Sequence, residues 1–294
     1  EIVILGGGYI GVEFATLFNA LGSKVTIIEI LENILPNLEV ELVRNLRRFL
    51  ENDGIEILTR STIEDIQHIE ERLKLTIRTP QGIQELITEK LLIAVGRIPN
   101  LDLNFSRAGV KTSSAGIRVN NQMETTTPNI YAIGDAIGGT LLAHVAMEEG
   151  VLAAENVMGM DRQLEDHPIP LCIFTYPEIA SIGFTEKEAK VKREIKIGRF
   201  PFRSNPSALI SGETDGLIKV IVGKEDDQIL GVHIIGHDAS TLISIAATLM
   251  RQGVKASEFS RLVQAHPTTP EALKEAFLDV DRLAIYLPKP LRSL

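Results

Sequence analysis

The sequence has a single cysteine, Cys172, among 294 residues, so no intramolecular disulfide can form within it. With no CxxC pair and only six scattered histidines, it also lacks the ligand spacing of a structural zinc site. Positive charge is in deficit: 30 lysines and arginines against 39 acids leave a net charge of -9. That balance, with no basic run to offset it, argues against a protein that neutralises nucleic-acid phosphates or docks on an anionic lipid surface. No apolar run approaches the roughly 20 residues of a membrane span, and neither a charged leader nor a methionine opens the chain, so a cytoplasmic protein is expected. Internal repeats and low-complexity tracts are absent as well. Because Glu1 leads directly onto an apolar strand, the chain reads as the C-terminal part of something longer.

What is present is ordinary globular composition, 44% hydrophobic and 23% charged, in a length that suits about two domains of ~150 residues. A globular chain of this size buries roughly three quarters of the surface its unfolded form exposes, and needs neither disulfide nor metal to hold its core. Its first third alternates strand and helix signals. Ile2–Leu5 is an apolar run ending in three glycines; Val12, Phe14, Ala15, Leu17, Phe18 and Leu21 recur at helical spacing; Val25–Ile28 is a second apolar run, which makes a βαβ unit. A helix is expected over residues 40–51, ending at Asp53-Gly54, then a strand over 55–58. Residues 73–78 and 84–87 alternate apolar and polar around Pro80-Gln81-Gly82, a hairpin signal, and 91–95 reads as a buried strand. Beyond Pro99 come loops rich in Asn, Ser and Thr, a strand over 130–133 and a helix over 142–158. Pro168 and Pro170 then mark a boundary. Past it, strands over 216–222 and 229–235 and helices over 239–250 and 270–280 give an α+β part, with residues 242–250 apolar on most sides, as suits a buried or subunit-facing helix.

The first chemical motif is Gly6-x-Gly8-x-x-Gly11, which alone would be weak. It follows a strand and opens a helix, and Glu29 stands 18 residues beyond Gly11 at the end of the second strand, near the place of a ribose-binding acid. Gly6 permits the tight turn, Gly8 lets backbone approach a pyrophosphate, and Gly11 lets the helix pack on the strand; the helix N-terminus supplies unpaired N–H groups and a positive dipole end. A carboxylate at Glu29 accepts hydrogen bonds from a ribose 2′-hydroxyl and repels a 2′-phosphate, and no arginine between Glu29 and Pro36 would neutralise one, so NAD is favoured over NADP. The plainer alternatives are a ligand-free turn and a solvated strand end.

Further segments in fixed order carry a resemblance: GGGYIGVEFA (6–15), AVGRIPN (94–100), IYAIGD (130–135), YPEIASIG (176–183), ILGVHIIG (229–236) and AHPTTPEAL (265–273). Over essentially its whole length the chain resembles the flavin-dependent pyridine nucleotide-disulfide oxidoreductases, most of all the branch that oxidises protein-bound dihydrolipoamide. The resemblance implies an α/β fold of three parts: a Rossmann-like NAD-binding domain with an antiparallel flap (1–98), a returning segment of an FAD-binding domain (99–167) and an α+β dimerisation domain (168–294). It implies that Gly6, Gly7, Gly8, Tyr9, Ile10, Gly11, Glu13, Glu29 and Gly96 contact NAD, with the adenine passing near Thr62. Gly134 and Asp135 would belong to the flavin domain, with the Asp135 carboxylate on the FAD ribityl chain, and Leu141, Leu142, Ala143 and His144 would run along the flavin. A strand-end turn and a helix start are the alternatives for these two segments.

His266 and Glu271 would carry the proton chemistry. An imidazole exchanges a proton near neutrality, and a carboxylate on its other nitrogen fixes the tautomer and steadies the imidazolium. Across Pro267 and Pro270 the two do not share one regular helix, and Glu271 would sit in the first turn of the next, where a carboxylate is favoured anyway. Without the resemblance they read as an exposed loop histidine and a helix-start acid. With it, the pair reaches the active site of the other subunit, which implies a homodimer, and the His266-Pro267 bond is cis. The implied partners are the lipoyl domains of a 2-oxoacid dehydrogenase or glycine cleavage complex.

Departures from the family pattern limit this reading. Neither the family's two-cysteine disulfide nor its first flavin-binding glycine motif is present, and Cys172 reads as a small apolar residue. The chain alone is therefore expected to be inactive. Gln264 stands where this branch commonly has another histidine, and Asn205-Pro206-Ser207-Ala208 departs from the usual Asn-x-Arg-Ala. A transhydrogenase fits as an alternative. A mercuric-type reductase fits less well because residues 287–294 lack a cysteine pair, a glutathione-type one because of Glu29. A non-catalytic NAD-binding and dimerisation module is the contrasting class.

Overall fold

A computed structural model describes residues 1–165 and 167–288; Asp166 and residues 289–294, which end the tail considered above, lie outside the described residues. The chain forms two compact units, one of residues 1–95 with the stretch from Pro170 onward, the other of residues 96–169. Among the described residues, no helix is long and apolar enough to cross a membrane.

In the first unit, strand β1 (Ile2–Leu5), helix α1 (Tyr9–Ala20), strand β2 (Val25–Ile28), helix α2 (Val40–Asn52) and strand β3 (Glu56–Leu58) follow one another. A three-stranded antiparallel flap comes next, β4 (Thr62–Ile69), β5 (Arg72–Thr79) and β6 (Gly82–Thr88), before β7 (Lys90–Ile93) returns to the parallel sheet, whose order is β3-β2-β1-β7. Helices cover one face and the flap the other: Leu75 and Ile77 of β5 share a core with Val3 and Ile28. Coverage on both faces explains why β1 reads as an unbroken apolar run and β2 as one broken only by Thr26, whose hydroxyl bonds Glu56. Helix α2 buries Leu42, Val43, Leu46 and Leu50, a stripe at helical spacing, and stops where Gly54 turns to positive φ and the Ile55 amide bonds back to Leu50.

The pattern missed β4, whose side chains from Glu64 to Ile69 face outward, so burial left little trace in its sequence. The expected buried strand over 91–95 needs correction. It is an edge strand, with Ile93 and Val95 exposed by 64% and 68%, because β1 flanks it on one side and no strand of this unit on the other.

The second unit holds the hairpin β8 (Thr112–Ser113) and β9 (Gly116–Ile117), a single helical turn over Gly134–Ile137, and helix α3 (Ala143–Val157) around a small core of Met123, Leu152 and Ala153. The strand expected over 130–133 does not form. That stretch makes one isolated bridge, Tyr131 with Glu124, since a ladder needs a neighbour of matching length and only residues 123–125 lie alongside.

The chain then re-enters the first unit as a five-stranded antiparallel sheet ordered β10-β11-β14-β13-β12, from β10 (Leu171–Ile173), β11 (Ile179–Gly183), β12 (Ile195–Pro201), β13 (Gly216–Gly223) and β14 (Ile229–Gly236). Its helices are α4 (Glu186–Lys192), α5 (Pro206–Ser211), α6 (Ala239–Arg251), α7 (Ala256–Ser260) and α8 (Pro270–Asp279). One sheet face packs on α6 and α8, with Phe259 and Phe277 in edge contact at 5.4 Å between centroids. The other face gives Ile173, Ile179 and Ile235 to the core of Leu42, Leu46 and Ile57 around α2, so this sheet too is covered on both sides and every residue of β14 is buried. Helix α6 turns one face inward through Ala239, Leu242, Ile243, Ala246 and Leu249.

Candidate functional site

The glycine loop joins β1 to α1, and steric contact dictates its composition. Gly6 has φ +109°, and a Cβ there would lie 2.4 Å from the Ala94 carbonyl oxygen; a Cβ on Gly11 would lie 1.9 Å from the Gly6 oxygen. A Cβ on Gly8 would meet nothing within 4 Å, so the loop is open at the residue that caps α1. No acidic residue in the first turn of α1 offsets its positive dipole end. A diphosphate fits that arrangement of open backbone and uncompensated N–H groups.

Glu29 is not a solvated strand end: it is 7% exposed, and its carboxylate accepts the Gly7 amide at 2.6 Å and the Leu31 amide at 2.8 Å. The side chain thus ties the end of β2 to the glycine loop and keeps a negative charge beside it. Tyr9 and Ile10 stand half exposed on the first turn of α1, where partial burial raises the Tyr9 hydroxyl above its ordinary value. Glu13, one turn on, accepts the Phe174 amide at 2.8 Å, which ties α1 to the end of β10. Thr62 opens β4 in the flap, half buried.

The second unit begins at Gly96 (φ +123°), and in it Gly134 (φ +65°) opens the turn that carries Asp135. The Gly134 amide donates to Glu149 of α3 at 2.7 Å, and Glu149 is 6% exposed; nothing in its own segment marks it out from the other acids of that helix. Asp135 faces Arg97 at 3.4 Å. Leu141 and Leu142 lead into α3, which Ala143 and His144 begin. These residues suit one side of a flavin-bearing site. Beyond residues 6–11 the sequence holds no second glycine-rich phosphate loop for FAD.

His266 and Glu271 do touch: Nδ1 lies 2.9 Å from Oε1. A carboxylate only accepts, so Nδ1 is the donor, which in the neutral imidazole leaves the lone pair on Nε2, on a side chain 58% exposed. The other Glu271 oxygen accepts the Thr268 amide at 2.8 Å, and the Thr268 carbonyl accepts Nδ2 of Asn205 at 3.2 Å. Asn205 is fully buried and also caps α5 through Ala208. Asn followed by Pro is a readable helix-start signal, yet its hold on the histidine loop comes from a residue 63 positions away and leaves no mark in the sequence. The His266-Pro267 bond is cis, as the resemblance implies, and so is Tyr176-Pro177. Gln264 lines a cleft with Val263, Glu271, Lys274, Glu275, Ile285 and Tyr286.

Cys172 is half buried, and burial with the nearby Glu178 charge pushes its thiol up, so it is poorly suited to act as a nucleophile. Among the described residues, no three His, Cys, Asp or Glu side chains are grouped to hold a metal ion.

A second charged cluster escaped the sequence reading. Lys219 on β13, 2% exposed, donates to Glu186 at 2.6 Å and Glu39 at 2.8 Å and lies 3.1 Å from Glu41, while Arg199 bonds Glu41 at 3.0 Å. Burial alone would raise the Glu39 carboxyl, but the bonds from Lys219 and the Glu186 amide outweigh it and hold it below its ordinary value. The bond from Lys190, then that from Lys219, lowers Glu186 to about 2. His233, opposite Lys219 on β14, stays neutral: burial pushes it down, Nε2 donates to the Phe184 carbonyl at 3.0 Å, and Nδ1 accepts from Ser181.

Comparison with known proteins adds to this geometry. The pattern described as pyridine nucleotide-disulphide oxidoreductase matches residues 1–150, and that family's dimerisation-domain pattern matches residues 169–277. The chain is 41% identical over 290 residues to a dihydrolipoyl dehydrogenase of Bacillus subtilis, covering 97% of this chain and 62% of that protein. It is 38% identical to a dihydrolipoyl dehydrogenase of Thermus scotoductus, covering 98% and 63%. The HOCl-induced flavoprotein disulfide reductase RclA of Escherichia coli, solved as a Cu(II) complex, superimposes with a TM-score of 0.88 at 30% identity, over 94% of this chain and 64% of that one. The chain thus spans somewhat under two thirds of these relatives.

Proposed function

Since the chain belongs to the pyridine nucleotide-disulphide oxidoreductase family, we propose that it forms the NAD-binding and dimer-forming portion of a dihydrolipoyl dehydrogenase. The reaction would take a protein-bound dithiol to its disulfide and NAD⁺ to NADH, with two electrons passing to the nucleotide and one proton released to water. The observation that carries this reading is the His266–Glu271 pair at 2.9 Å, with the imidazole tip exposed and its carboxylate largely buried.

In such a reaction a dithiol must lose its protons to become a nucleophile. Nε2 of His266 would accept one, and Glu271, fixed by the Thr268 amide, would hold the ring in the required tautomer and stabilise the imidazolium that results. The dyad would serve the active site of a second copy of the chain. FAD, when bound, supplies the two-electron relay between dithiol and nucleotide; Gly134, Asp135 and residues 141–144 are the groups this chain would contribute to holding it. Gly6 to Gly11 and the N-terminus of α1 would hold the NAD diphosphate, with Tyr9, Ile10, Glu13, Thr62 and Gly96 around the nucleotide and Glu29 selecting against a 2′-phosphate. Lipoyl domains of a 2-oxoacid dehydrogenase or glycine cleavage complex would be the dithiol carriers.

Titration of the chain with NADH and NADPH tests the nucleotide half: tighter NADH binding is expected, and equal or tighter NADPH binding overturns it. The chain by itself should not turn over dihydrolipoamide with NAD, because its lone, half-buried Cys172 cannot supply a redox disulfide; measurable turnover by the purified chain would refute that.

A further inference from the structure

Helix α8 carries two buried carboxylates one turn apart, Glu271 and Glu275, which are 8% and 2% exposed. Like charges at that spacing repel unless each is satisfied. Glu271 is satisfied by His266 and the Thr268 amide. Glu275 has a different pair of donors: the Ile285 amide at 2.7 Å and the Tyr286 amide at 3.1 Å, both on Oε2. The chain leaves α8, turns at residues 279–283 with the Leu283 amide bonded to Leu278, and runs back along the helix that it has just left. Ala284 is buried in this return, while Ile285 remains 70% exposed.

The returning strap and the stretch before His266 face each other across one cleft. Val263 and Gln264 line it on one side, Ile285 and Tyr286 on the other, with Glu271, Lys274 and Glu275 between them on α8. The strap is short; Ala284 and Leu287 anchor it to the core while Ile285 and Tyr286 stand exposed, and it is at these two residues that amides converging on one buried carboxylate oxygen tie it to α8.

We propose that Glu275 is a positioning residue for the His266–Glu271 pair: by holding the Ile285 and Tyr286 amides it keeps the strap as the outer wall over Glu271, and so limits water at the carboxylate that orients the imidazole. This rests on the reading of His266 and Glu271 as an acid-base pair and adds to it a residue whose hydrogen bonds go to the strap amides and not to the imidazole. The physical link is competition. A carboxylate open to water exchanges its hydrogen-bond partners, whereas one walled off keeps the single geometry in which Nδ1 is donor.

The test uses the intact chain labelled at histidine nitrogen, with Glu275→Gln and Glu275→Leu. Both strap amides converge on a single oxygen, so glutamine, which keeps one acceptor, should preserve them; leucine should not. In Glu275→Leu the Ile285 and Tyr286 amides should exchange with solvent about tenfold faster or more, and the slowly exchanging Nδ1 proton signal of His266 should be lost. Glu275→Gln should retain both. If Glu275→Leu does not fold, Ile285→Pro deletes the shorter strap bond from the exposed side and must speed exchange of the Tyr286 amide and abolish the His266 Nδ1 signal. Release of the strap with the His266 Nδ1 signal unchanged overturns the proposal and leaves the acid-base pair standing, as does unchanged amide exchange in a folded Glu275→Leu. Absence of the Nδ1 signal in the unsubstituted chain overturns the pair itself.

Discussion

Lys219→Met should destabilise the chain substantially, because it removes the cation from a buried charge cluster. The lysine ammonium is 2% exposed and holds Glu39 and Glu186 within 2.8 Å, while methionine fills a similar volume with no charge. Removing one partner of a buried pair costs about 3–5 kcal/mol, chiefly because the charge left behind is uncompensated. Arg199 softens the loss for Glu41 and Glu186, which it approaches at 3.0 and 3.6 Å, whereas Glu39 keeps only amide donors. The lower end, about 3 kcal/mol at pH 7.5, is therefore expected; against a total of about 5–15 kcal/mol for a typical domain that is large.

The pH dependence identifies the cause. In the unsubstituted chain Glu39 and Glu186 are held below the ordinary carboxylate value of 4.5, Glu186 at about 2, so their contribution is complete above about pH 4.5 and is lost as pH falls through the folded values. Lys219 is shifted the other way: burial lowers it, but bonds to Glu186 and Glu39 outweigh that and raise it above 10.5, so its contribution is complete below that pH and is lost only in stronger alkali. Without the ammonium, burial is left to raise the Glu39 carboxyl, so a proton taken up on acidification relieves the cluster. The deficit should accordingly shrink between pH 7.5 and pH 5, as read from urea unfolding at both values. Adding Glu39→Leu to Lys219→Met should recover part of the loss, since both ends of the buried pair are then gone. A deficit under about 1 kcal/mol, or one that ignores pH and is not recovered in the double variant, would mean that the cluster acts by packing rather than by charge.

Glu29→Gln should narrow the preference for NADH over NADPH in direct titrations, because an amide no longer repels a 2′-phosphate, and should cost about 1–3 kcal/mol of stability, since one of the Gly7 and Leu31 amides loses its acceptor. Gly11→Ala should abolish binding of both nucleotides and lower the melting temperature, as its Cβ would lie 1.9 Å from the Gly6 oxygen; retained binding would show that the loop relaxes. In a dimer that carries the flavin and the redox disulfide, His266→Gln should cut dithiol turnover by roughly 10²-fold or more while NADH affinity stays near its original value, and Glu271→Gln should cost less. Near-normal turnover in His266→Gln, or an equal loss of NADH binding, would remove His266 from its role as base.

Much of the fold was legible in the sequence where burial imposes a period, although the buried strand β11 and the alternating strand β12 went unread. The stripe Leu42, Val43, Leu46, Leu50 marks α2, the apolar runs of β1 and β2 mark strands covered on both faces, and Gly6-x-Gly8-x-x-Gly11 announces a turn in which two of three Cβ positions are forbidden by backbone. Strand β4 and the short helices α4, α5 and α7 were not legible, because outward-facing side chains need no apolar period. The segment over 130–133 looked like a strand and is not one: composition expresses propensity, but a ladder requires a partner alongside.

The same division runs through the site. The residue types and spacings of the glycine loop, Glu29, His266 and Glu271 stand in the sequence, because each does local chemistry that few other side chains can do. The contact at 2.9 Å between His266 and Glu271, the hold of Asn205 on their loop and of Glu275 on the strap, and the burial of Lys219 among three acids from two distant stretches are decided only in three dimensions. A lone lysine on a strand reads as solvated, and nothing within its own segment says otherwise. Its charge is tolerated inside because tertiary packing brings Glu39, Glu41 and Glu186 to it from sequence separations of up to 180 residues.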